Sequence, residues 1–177
     1  AVLFLDLLGS RAASRSSDPQ EILRRLYPAI KRANAAGLGH DADVVPQVVT
    51  FTDNVVVAWP VTHAREHESA IGSVLFMASY YQYELTRHGF FVRGGLAFGS
   101  LFVDPDFVYG PALDEAYSIE QTHAIYPRVV LSDRVVEMIG GFLADDDAAT
   151  SWENGALLRC ADERLALHWA MISAAYP

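Results

Sequence analysis

An α+β fold, a ferredoxin-like split βαβ sheet with helices packed on it, is what this sequence predicts. The chain opens on a wholly apolar run the length of one strand. Two β-rich runs flank a short polar tip, and a helical pattern stands on either side of that pair. The resulting order is β–α–β–β–α–β. With 177 residues, positions 1–177 read as a single domain long enough to bury a sizeable core.

Ala1–Leu5 is apolar throughout and ends in Asp6, a pattern suited to a central strand buried on both faces. Asp18-Pro19-Gln20-Glu21 then reads as a helix start, with Asp at the N-cap, Pro at the first position and Glu at the third. Ile22, Leu23, Leu26, Tyr27 and Ile30 follow at helical spacing and predict one buried stripe. Pro28 either kinks that helix or splits it, its end falls near Ala36–Gly37, and Gly37–Asp43 is a loop. Gln47–Phe51 and Val55–Trp59 are strand-like, and the polar tip Thr52-Asp53-Asn54 between them signals a hairpin, though one without glycine. From about Ala64 to Arg87 runs a long helical pattern whose apolar stripe includes Ile71, Val74, Leu75, Ala78, Tyr81 and Leu85; Gly89 stops it. Phe90–Phe102 reads as another strand, interrupted by Gly94, Gly95 and Gly99. A third helix is expected over Pro111 to Thr122 and a strand over Arg128–Leu131. Ser132–Asp133 caps a short helix over Arg134–Ile139, Asp145–Asp147 belongs to a solvated acidic loop, and Leu157–Arg159 with Leu165–Trp169 forms a last strand pair.

Charge narrows the function classes. With 22 acidic and 13 basic residues the net charge is −9, a poor match for nucleic-acid phosphates or an anionic membrane surface. A phosphate-bearing ligand would need its positive charge from a local site or a metal. The lone Cys160 excludes an internal disulfide and a CxxC metal site, and a reducing, cytoplasmic compartment is expected. The longest apolar runs fall far short of the roughly 20 residues of a membrane helix. The chain opens at Ala1, inside an apolar run and without an initiator methionine, as expected of a segment trimmed at its N-terminus.

Two acids stand out by position. Asp6 ends the first strand and opens the turn Leu7-Leu8-Gly9-Ser10, while Asp53 sits at the hairpin tip. If the first strand neighbours the hairpin's first strand, the two carboxylates meet at one end of the sheet. Paired hard oxygen ligands suit Mg²⁺ or Mn²⁺ carrying substrate phosphates, and two such ions would clamp an in-line phosphoryl displacement. Equally, Asp6 caps the following helix and Asp53 is a turn residue. The histidines offer only His63 and His67 at metal-like spacing, which suits a solvated helix face. Gly94-Gly95 matches no phosphate-loop pattern, and Tyr80, Tyr81 and Tyr83 fit a core or dimer contact.

Four segments, in order, resemble the class III nucleotidyl cyclase domain. They are Phe4-Leu5-Asp6-Leu7-Leu8-Gly9-Ser10, Phe51-Thr52-Asp53-Asn54-Val55-Val56, Val92-Arg93-Gly94-Gly95-Leu96-Ala97-Phe98-Gly99, and the stretch from Tyr109-Gly110-Pro111 through Ser118-Ile119-Glu120 to Tyr126-Pro127-Arg128. The resemblance implies the same split βαβ plan. It makes Asp6 and Asp53, with the Leu7 carbonyl, ligands of two Mn²⁺ or Mg²⁺ ions, and sets the Leu8, Gly9 and Ser10 backbone against the phosphates of a nucleoside triphosphate. It also implies a homodimer, because the family places its active site between two such domains.

The departures refine that expectation. The family's base-reading lysine position, four before the second aspartate, is Val49, and its second reading position is Phe107. The transition-state Asn and Arg of the following helix align with Asp114 and Ser118. The pattern is most similar to the bacterial pyrimidine cyclases of Pycsar anti-phage defence. It implies a uridylate or cytidylate cyclase, UTP favoured over CTP, with Val49, Thr50 and Phe107 around the base. Arg93, Arg128 or Arg159 either replaces the missing arginine or is an ordinary sheet or surface residue. The rival expectation is an inactive cyclase-like domain that binds a nucleotide or a partner.

Overall fold

The structure, a computed structural model, describes residues 1–10, 15, 18–37, 46–60, 67–104, 107–143 and 156–175. The expected loop over 38–43, the acidic segment 145–147, the helix start at 64–66 and His63 lie outside them. The elements run β1 (Val2–Leu7), α1 (Pro19–Gly37), β2 (Gln47–Phe51), β3 (Asn54–Ala58), α2 (His67–Arg87), β4 (Val92–Ala97), β5 (Phe102–Val103) and β6 (Val108–Tyr109). After them come α3 (Pro111–His123), β7 (Val129–Leu131), α4 (Asp133–Leu143), β8 (Leu157–Arg159), β9 (Leu165–Leu167) and α5 (Ala170–Ala175). Seven strands form one sheet in the order β2-β3-β1-β4-β7-β9-β8, and β5 with β6 forms a separate two-stranded sheet.

β1 lies between β3 and β4 and is antiparallel to both, which is the split βαβ arrangement. Its alternate side chains enter two different cores. Leu3, Leu5 and Leu7 join the larger cluster with Ile30 of α1 and Val74, Leu75 and Tyr81 of α2. Val2 and Phe4 face the other way, onto Ala112 and Ala116 of α3. This two-sided burial is what the apolar opening run predicted. By the same alternation Asp6 lies on the α3 side.

Several expectations need correction. β1 neighbours the second strand of the hairpin, β3, and not the first, because β2 takes the edge of the sheet. The hairpin turn contains Thr52 and Asp53 only, since Asn54 already pairs with Phe51. The expected strand over Phe90–Phe102 is two pieces: β4 ends at Ala97, and the chain bends through Gly99 into β5, in the other sheet. Of the two alternatives at Pro28 the split is excluded, since α1 is one helix through it, and the expected cap holds, Asp18 Oδ1 accepting the Gln20 N–H at 3.0 Å. Its predicted stripe is not buried as a unit: Leu23 and Tyr27 are 60% and 59% exposed. Of that stripe Ile30 is buried and Leu26 packs on the core as expected, and Ala29 and Ala33, which were not in it, complete the buried face, their small side chains permitting close approach. α4 runs on to Leu143, capped by Ser132, whose Oγ accepts the Val135 N–H at 3.3 Å. Among the described residues, no helix is long and apolar enough to cross a membrane.

Candidate functional site

The C-terminal end of β1 and the β2–β3 turn stand side by side. Asp6 is paired with Asn54, and the Leu7 N–H donates to the Asp53 carbonyl at 3.0 Å, so the two aspartates share one end of the sheet. The turn holding Asp53 is strained. Thr52 has a φ of 52°, the left-handed region that hairpin turns usually give to glycine or asparagine. The Asp53 carboxylate in turn accepts from Thr52 Oγ1 at 2.9 Å, from Asn54 Nδ2 at 3.4 Å, and from the Ser10 hydroxyl.

That last bond folds the turn after β1 onto Asp53. Gly9 makes the turn with a φ of 77°, and nothing lies within 4 Å of where a side chain would start, so its backbone is open to a ligand. The Leu8 N–H is already committed to the Phe91 carbonyl at 2.9 Å and so is not free to donate to an anion. Asp53, distant in sequence, is thus brought to the consecutive residues Asp6 to Ser10.

On the other flank, Asp6 lies directly across from Arg93 of β4, whose Nε is 3.1 Å from Asp6 Oδ2 and 2.7 Å from Glu120 Oε1 of α3. Glu120 is fully buried and was assigned no role from sequence. Its signal was present, for Ala112, Ala116 and Ile119 mark the inward face of α3 and Glu120 follows on that face. Burial pushes the Glu120 carboxyl above the usual range and the Asp6 charge adds to this, while Gln121 and Arg93 pull it back.

The remaining expected residues are dispersed. Thr50 and Val49 are consecutive on β2 and face opposite sides of the sheet, so they cannot line one pocket. Thr50 lines a cleft of about 210 Å³ between α1 and the hairpin, shared with Leu23, Tyr27, Thr52 and Asp53. Val49 is paired with Val56, on the α3 side. Phe107 belongs to the β5–β6 hairpin, stacked on Tyr109 at 6.2 Å and near Phe102. Asp114 and Ser118 occupy the exposed face of α3.

None of the three arginines is an unengaged cation. Arg93 is shared by two carboxylates. Arg128 is bonded to Asp162 through both terminal nitrogens and to the His123 carbonyl, and lies over the Tyr126 ring. Arg159 stands on β8, at the opposite edge of the sheet from β2, next to Glu163.

Chemically, Asp6 and Asp53 offer hard oxygen donors, and among the described residues no third His, Cys, Asp or Glu completes a cluster. Two carboxylates without a full protein cage fit an ion that keeps waters and takes phosphate oxygens, as Mg²⁺ does.

No protein-family model matches the chain, and no curated protein sequence matches it. Among solved structures it is similar to the adenylyl cyclase CyaB from P. aeruginosa, with a TM-score of 0.58 at 14% identity over 79% of each chain. It is also similar to the dimeric guanylyl cyclase domain of the RhoGC fusion protein from the aquatic fungus Blastocladiella emersonii. There the TM-score is 0.54 at 14% identity, covering 79% of this chain and 82% of that one. The α+β fold is therefore the class III cyclase fold of these structures.

Proposed function

We propose that this chain is a metal-dependent nucleotidyl cyclase that converts a pyrimidine nucleoside triphosphate, UTP before CTP, to its 3′,5′-cyclic monophosphate and pyrophosphate, as an anti-phage signal. The observation that carries the reading is the backbone of Asp6 and of Asp53 meeting at one end of the sheet, with Ser10 folded onto Asp53, in a fold shared with adenylyl and guanylyl cyclases. Asp6 and Asp53, with the Leu7 carbonyl, would hold two Mn²⁺ or Mg²⁺ ions. When bound, those ions supply positive charge to the triphosphate and acidify the attacking hydroxyl.

The chain's own residues do the rest. Gly9 and Ser10 amides face the phosphates, and the Ser10 hydroxyl keeps Asp53 turned toward them. The nucleotide's 3′ oxygen bonds to the α-phosphorus as the α–β phosphoanhydride bond breaks, and the hydroxyl proton passes to solvent. Val49 and Phe107, which stand on different elements, would each offer the base an apolar surface without the polar readers of a purine. Asp114 and Ser118, on the outer face of α3, would serve a site completed by a second copy, so a homodimer belongs to the proposal.

A specific observation favours a second reading, an inactive nucleotide- or partner-binding domain: Ser118 stands where the family has its arginine, and Arg93, Arg128 and Arg159 are all engaged elsewhere. Incubation with each of the four ribonucleoside triphosphates and Mn²⁺, with products identified by mass, separates the two. A cyclic pyrimidine nucleotide is expected, and it disappears in Asp6→Ala and Asp53→Ala. A purine product refutes the base assignment, and no product from a folded chain supports the second reading.

A further inference from the structure

We infer that Glu120 and Arg93 are positioning residues that fix the carboxylate of Asp6 for its metal, an inference that rests on the metal-site reading above. Asp6 and Arg93 are directly opposed on neighbouring strands, on the sheet face that α3 covers. α3 comes close enough for Glu120 to reach Arg93 because Gly95 has no side chain: a Cβ there would lie 2.3 Å from the Ala116 carbonyl oxygen. Glu120 is sealed from solvent, so its charge needs a partner, and Arg93 Nε at 2.7 Å supplies it. The guanidinium is planar and its donors are fixed relative to one another. Held beside a buried carboxylate by charge alone, with Glu120 Oε1 accepting no hydrogen bond, it donates its Nε–H to Asp6 Oδ2 at 3.1 Å. A carboxylate at the end of a strand would otherwise turn freely about its side-chain bonds. The same geometry explains why Arg93 is unsuited to meet a phosphate, since its charge already lies between two anions.

A purely structural ion pair and a positioning pair differ in what happens when both partners are removed. Replacing a buried pair together by apolar side chains of similar length is often tolerated by the fold, whereas breaking one partner is not. Groups that orient a metal ligand typically cost about 10–100-fold in metal affinity when lost. The test is therefore the double variant Arg93→Met/Glu120→Met, with Mn²⁺ affinity measured by calorimetry beside the thermal melting curve. The expected result is a melting temperature close to wild type with Mn²⁺ binding weakened about 10–100-fold. A folded double variant that binds Mn²⁺ as tightly as wild type, or more tightly, overturns the inference. Should the double variant not fold, Glu120→Gln keeps the shape and removes the charge beside Arg93. It is expected to weaken Mn²⁺ binding severalfold, and unchanged affinity there overturns the inference equally. A wild-type chain that binds no Mn²⁺ overturns the metal-site reading and this inference with it.

Discussion

Replacing Gly95 by alanine puts a methyl group where α3 leaves no room. The new Cβ would lie 2.3 Å from the Ala116 carbonyl oxygen, 2.9 Å from Ile119 Cβ and 3.0 Å from the Ala116 carbonyl carbon, whereas ordinary contact begins at 3.4 Å. Two of these three neighbours are backbone atoms, so no side-chain rotation relieves the clash. The helix has to lift by roughly 1 Å, and overpacking of this kind costs about 1–3 kcal/mol. For a chain of this size that corresponds to a melting temperature lower by about 2–12 °C. Because Glu120 rides on the same helix, Mn²⁺ affinity is expected to fall with stability. Gly99→Ala is the control, since its Cβ would meet Ala112 Cβ at an unstrained 3.5 Å. Melting followed by circular dichroism on both variants decides the matter. Gly95→Ala melting within a degree of wild type, or no differently from Gly99→Ala, would refute the close seating of α3.

Gly140 is an exposed residue inside α4 with open space where an alanine methyl would sit, so Gly140→Ala should raise stability by about 0.5–1 kcal/mol, read from denaturant unfolding. The Arg128 guanidinium holds the Asp162 carboxyl down at about 2, below its usual value of 3.8. The folded state thus gains from this pair above the ordinary carboxylate pKa and loses that gain as pH falls from about 4 toward 2, and Asp162→Asn should flatten the acid limb of the melting profile over that range. Ser10→Ala removes the hydroxyl that donates to Asp53, and is expected to weaken Mn²⁺ binding while leaving the melting temperature near wild type, because the bond lies at the partly exposed surface.

Some of this protein was legible residue by residue. The apolar run of β1, the Asp18 cap, the β2–β3 reversal and the β8–β9 pair are set by side chains within a few positions of one another, and local periodicity and capping report them directly. Asp6 and Asp53 were visible too, as acids at a strand end and a turn. Other features were not local. Which hairpin strand lies against β1, where α1 is buried, and the break of the expected strand at Gly99 depend on segments distant in sequence closing onto one another. Leu23 and Tyr27 look like core by spacing but are left outside because Ala29 and Ala33 let the helix seat elsewhere. Arg93 and Glu120 make the point for the site itself. Each is an ordinary charged residue in its own segment, and only the antiparallel register of β1 with β4 and the seating of α3 on Gly95 bring both to Asp6. Sequence determined which side chains were available, and tertiary packing, by burying one carboxylate beside a shared arginine, decided which of them lie together.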